Sequence, residues 1–188
     1  MEYVIDFQGF HDDADNFILK EVCIQSVENG KLLGERKQFL LLPPFDFKYL
    51  SDSKKKEVNY LKNCYHKFTW NCGLQEYDEI YSIFKNLTDI RCIYVKGSEK
   101  KKVLEKEFNS HIKIIDLETL NCPSLSVLKQ RYRLCDNCVN CPFMHNTQNC
   151  SVYHVYLLTK WILHYWNSAC KEHSENFIKR IECWDCAL

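Results

Sequence analysis

The sequence predicts an α/β domain on a mixed sheet of about five strands, the first three antiparallel and the later ones parallel, with helices flanking it. Three observations carry this. Residues 2–42 hold three β-type apolar runs, the last stopped by Pro43-Pro44. From Ser51 the apolar spacing becomes helical. Residues 90–117 then read strand, helix, strand, a unit whose two strands must run parallel. A chain of 188 residues that is 46% hydrophobic can bury a sizeable core, so one domain over residues 1–188 is expected.

The first strand covers residues 2–8 (EYVIDFQ), ends at Gly9, and is followed by an acidic loop over residues 11–15. Strands at 17–26 and 33–42 are joined by the turn Glu28-Asn29-Gly30. Ser51 is placed to cap a helix with Val58, Leu61 and Tyr65 inward, and a second helix carries Tyr77, Ile80, Tyr81 and Phe84. Residues 90–95 and 112–117 are strands around a lysine-rich helix that starts at Ser98. Pro123-Ser124 opens a helix running to about residue 134, and a Cys/Asn-rich loop follows over 135–150. Val152, Val155, Leu158, Trp161, Ile162 and Tyr165 mark the packing face of a long final helix, with a shorter helical tail ending near Cys183.

The 25 basic and 25 acidic residues cancel, so a nucleic acid would have to be held by a local patch. The start MEYVIDFQGF has neither the basic region nor the apolar run of a signal peptide, and no later segment is long and apolar enough for a membrane span. The expectation is a protein of the cytoplasm or nucleus with no membrane partner. Its 12 cysteines are then read as thiols or metal ligands.

This element order resembles the exonucleases of the ribonuclease H-like superfamily, of DEDDh type, over nearly the whole chain. That resemblance implies four carboxylates around two Mg²⁺ ions, because adjacent dications must be neutralised while they activate water and stabilise the leaving oxygen. The first motif, Asp-x-Glu on strand one, reads here Asp6-Phe7-Gln8, and the amide carries no charge. The second falls at Lys96-Gly97-Ser98-Glu99-Lys100, where Lys100 repels a metal. The third, a His and an Asp before and on the last helix, aligns with Asn149 and His154. Asp6 is left as a vestige of the catalytic set, so Mg²⁺ and two-metal cleavage are not expected.

This degeneracy resembles the Maelstrom domain of germline small-RNA silencing, in which zinc bound by Glu, Cys, His and Cys ties strand two to the loop before the last helix. The resemblance implies Glu21, Cys141, His145 and Cys150 as ligands of a structural Zn²⁺. Three residues separate Cys141 from His145 where the family has two, which leaves other sets open. One uses Cys138, Cys141 and Cys150 with Glu21 or His145, and another is the local group Cys141, His145, Cys150 and His154. With four protein ligands such a site has no open position and does no chemistry.

Lys96, Lys100, Lys101 and Lys102 cluster at a helix start, and Arg131, Tyr132 and Arg133 on a later helix offer two cations around a ring that could stack a base. The sequence thus points to a pseudo-exonuclease that binds single-stranded RNA, in small-RNA or transposon silencing. Two alternatives stand beside it: a ribonuclease working without the two-metal site, and a protein-interaction module on a dead nuclease scaffold.

Overall fold

The computed structural model describes residues 1–108, 112–132 and 149–172. Its strands are β1 (Glu2–His11), β2 (Phe17–Glu28), β3 (Lys31–Leu40), β4 (Cys92–Val95) and β5 (Ile114–Asp116). The α-helices are α1 (Asp52–Cys64), α2 (Glu79–Lys85), α3 (Ser98–Glu107), α4 (Leu125–Arg131) and α5 (Ser151–Glu172). The sheet order is β3-β2-β1-β4-β5, with β1, β2 and β3 antiparallel and β4 and β5 parallel to β1. This is the mixed five-stranded sheet the sequence predicts.

β1 lies at the centre and is buried along almost its whole length because both faces are covered. On one face Val4, Cys23, Val27 and Tyr94 pack against Val155, Leu158 and Ile162 of α5 and Leu128 of α4. On the other, Ile5, Phe7, Val22 and Ile93 pack against Ile80 and Phe84 of α2 and Leu104 of α3. A third core of Phe10, Ile18, Leu50, Val58 and Trp70 seats α1. Ser51 caps α1 through a hydrogen bond from Lys54 N, and Asp13 accepts from the Ser51 amide at 2.9 Å, so the acidic loop after β1 fastens a helix.

Several boundaries differ from the sequence reading by two or three residues, and three of them bear on the architecture. β1 does not stop at Gln8: a bulge lets the pairing step from Gln8 opposite Glu21 to Gly9 opposite Leu19, and the strand continues to His11. The bulge needs glycine, since a Cβ at Gly9 would sit 2.1 Å from the Ile18 carbonyl oxygen. β3 ends at Leu40: the Leu41 amide still donates to the Lys20 carbonyl of β2, but the Leu42 amide donates to the Gln75 carbonyl instead. α4 ends at Arg131, and the helical tail expected near Cys183 lies outside the described residues. Among the described residues no helix is long and apolar enough to cross a membrane.

Candidate functional site

The alternation of β1 turns Asp6 toward α5, at the mouth of the sheet where parallel β4 hands over to α3. Asp6 is buried, with its side chain 3% exposed, and both oxygens are taken. Lys100, in the first turn of α3, brings Nζ within 2.5 Å of Oδ1. His154, one turn into α5, places Nδ1 3.0 Å from Oδ2. Burial alone would raise the Asp6 pKa, but the Lys100 ammonium and the His154 hydrogen bond outweigh it and hold the carboxyl below its ordinary range. Tyr65, on the loop after α1, feels the same charge: burial first and Asp6 second push its phenol up.

Gln8, two residues along on the same face, is buried, and its Nε2 finds no hydrogen-bond partner among the described residues. Asp116 does not join Asp6; one of its oxygens accepts from the amides of Gly97 at 2.9 Å and Glu118 at 3.0 Å. The Gly97 amide is therefore not a free phosphate donor. The loop acids are engaged elsewhere as well, Asp12 in its own turn and Asp13 on Ser51. Among the described residues no group of three or more His, Cys, Asp and Glu side chains is placed to hold a metal ion. A Mg²⁺ pair does not fit this set: both oxygens of Asp6 are engaged, one partner is already a cation, and Gln8 offers an amide where a second acid would stand.

A second polar cluster joins β2 to the start of α5. Glu21 is fully buried and accepts from the Ser151 amide at 2.8 Å and from Gln38 Nε2 at 2.6 Å. It thereby caps the first turn of α5 with a negative charge. Cys150 Sγ lies 3.6 Å from Glu21 Oε1. Two ligand atoms of one tetrahedral zinc, a sulfur and a carboxylate oxygen, stand about 3.5 Å apart, so these two positions fit a shared ion. Cys138, Cys141 and His145 lie outside the described residues. His154 faces Asp6.

The remaining sequence candidates are spread over the surface. Lys96 bonds Glu118 and the Cys122 carbonyl, Lys101 pairs with Glu105, and Lys102 pairs with Glu99. Arg131 is exposed at the end of α4, while Tyr132 is half-buried against the α5 core, its hydroxyl without a hydrogen-bond partner among the described residues. Arg133 lies outside the described residues.

No protein-family profile matches the chain, and no curated protein matches it by sequence. Among solved structures, exonuclease X in complex with 5′ overhanging duplex DNA superposes with a TM-score of 0.52 at 14% identity, covering 90% of this chain and 93% of that one. The fold is ribonuclease H-like. A full-length 3′-exonuclease also aligns, with a TM-score of 0.49 at 10% identity over 90% of this chain and 82% of that one.

Within this ribonuclease H-like fold, sequence reasoning missed Lys20. It is the extra residue of the β2 bulge, fully buried, with Nζ donating to the Leu41 carbonyl at 2.5 Å and to the Cys72 carbonyl. Burial lowers its pKa to about 8, partly opposed by Cys72. A lysine in an otherwise apolar run was the available signal, but a bulge that turns it inward is not visible in composition.

Proposed function

We propose that this chain is a nucleic-acid-binding pseudo-exonuclease: a ribonuclease H-like domain that holds single-stranded RNA and does not cut it with two metals. One observation carries the reading. At the position where a catalytic carboxylate would bind metal, Asp6 is instead locked between Lys100 and His154. The likeness to an exonuclease solved on DNA supports nucleic acid as the ligand class. His154 is 2% exposed, so it offers no reachable general base, which weighs against metal-free cleavage.

The Maelstrom-like reading and its role in silencing belong to the same proposal, as does a single domain over the whole chain. So does a structural zinc held by Glu21 and Cys150 together with Cys141 and His145. The ion would fasten the loop before α5 to strand β2, and Gln38, bonded to Glu21, would orient that ligand from behind.

The test is binding of a labelled single-stranded RNA at 50 and 200 mM salt, with cleavage followed in Mg²⁺, Mn²⁺ and chelator. The expected result is binding that weakens as salt rises and RNA that stays intact. Absence of binding at the lower salt, or Mg²⁺-dependent cleavage lost in Asp6→Asn, overturns the proposal.

A further inference from the structure

We infer that Lys100 is a resident cation of the Asp6 cleft: it bars divalent metal from the surviving carboxylate and presents its outward donors to one phosphate of the bound strand. The inference rests on the nucleic-acid-binding reading for its second half and on geometry alone for its first.

A divalent ion bound by Asp6 would have to sit about 2.1 Å from a carboxylate oxygen. Lys100 Nζ stands 2.5 Å from Oδ1, inside that space, and His154 holds Oδ2. Bringing in a dication means expelling the ammonium or placing two like charges in contact, and Gln8 supplies no second carboxylate to offset them. The cleft therefore carries a cation built into the chain.

That cation is also the pole facing outward. The Asp6 side chain is 3% exposed and that of Lys100 is 26% exposed. An ammonium has three N–H donors, and its one hydrogen bond to a described residue goes to Asp6. The buried anchor and the Phe7 ring, 5.3 Å from Nζ, fix where the remaining donors lie. Lys96, Lys101 and Lys102 differ from it, each being paired with a glutamate. Among the helix-start lysines, Lys100 alone pairs with a carboxylate buried beneath it, so a phosphate reaching it meets a positive charge held in place from below.

The experiment compares wild type, D6N and D6N/K100M as full chains. The double variant removes one charge of each sign, so net charge is unchanged and no bare buried carboxylate is left to unfold the domain. RNA affinity is read by anisotropy in chelator and in Mg²⁺, and Mn²⁺ binding by electron paramagnetic resonance. The expected results are equal wild-type affinity in both buffers, no Mn²⁺ bound by wild type that D6N loses, and weaker RNA binding by D6N/K100M with a salt slope smaller by about 1. Mn²⁺ binding that depends on Asp6, RNA binding that needs Mg²⁺, or undiminished binding by D6N/K100M would overturn the inference. If wild type binds no RNA at all, the proposed function and the phosphate contact fall together, while the Mn²⁺ measurement still decides whether Lys100 excludes metal.

Discussion

Replacing Lys100 by Met tests how much the domain depends on its internal ion pair. The substitution keeps most of the stem's volume and removes the charge, leaving Asp6 at 3% side-chain exposure with His154 as its partner. Breaking a buried pair from one side costs about 3–5 kcal/mol, because the remaining charge stays in the interior. Lys100 is partly reached by water, which places the expected loss near the lower end, about 3 kcal/mol, or roughly 6–12 °C in Tm for a chain of this size. Asp6→Asn should cost only about 1 kcal/mol, since the freed ammonium can turn to solvent. The double variant should be no worse than Asp6→Asn, giving a coupling of about 3 kcal/mol in a double-mutant cycle. Urea denaturation with a constant m-value gives all four corners. K100M within 1 kcal/mol of wild type, or additive losses in the double variant, would show that the pair is a surface contact and refute the reasoning.

Three further outcomes follow from the geometry. Gly9→Ala should destabilise the domain by about 3 kcal/mol or more in a thermal melt, because the new methyl meets first the Ile18 backbone, which cannot swing away, and then the Phe17 ring; a shift of only a degree or two would mean the bulge relaxes freely. Lys20 carries a folded pKa lowered to about 8, below that of an unfolded lysine, so from about pH 8 upward the unfolded chain holds a proton the folded chain has shed. Stability should therefore rise between pH 8 and 9 by up to about 1.4 kcal/mol, and Lys20→Met should flatten that rise; equal slopes in both proteins would dismiss Lys20 as its source. Cys150→Ser should lose zinc by elemental analysis and about 3 kcal/mol of stability, whereas a wild type without zinc and a variant equally stable would remove the structural ion.

Much of the fold could be read from local pattern. Period-two runs closed by turns, a β-α-β unit and the apolar stripe of α5 are short-range signals, and the strand order follows once the first three strands are taken as hairpins. The start of α5 at Ser151 was legible for the same reason, whereas Glu21 and Cys150, 129 residues apart, were set side by side only by the Maelstrom resemblance. The Asp6 cleft was only half legible. The loss of acids shows in the letters, but Lys100 and His154 are 94 and 148 residues from Asp6, and only the alignment of their segments with the exonuclease motifs implied that they share its site; that they bond it directly was not legible. Lysine runs do not reveal that Glu99, Glu105 and Glu118 lie within reach of Lys102, Lys101 and Lys96. Tyr132, expected between two arginines to stack a base, lies just past the end of α4 and packs partly buried against the α5 core.

The capping of α5 by Glu21 makes two parts of the molecule answer to each other. Strand β2 grips the helix at Ser151, Arg36 of β3 holds the Val152 carbonyl at 3.0 Å, and one turn later His154 meets Asp6. A turn of α-helix advances only about 5.4 Å, so the grip at its start sets how far His154 reaches. α5 thus acts as a keyed shaft. Slack introduced at Glu21 or Cys150 would turn or slide the helix and withdraw the histidine, so the contact between His154 and Asp6 depends on a clamp that does not itself touch Asp6.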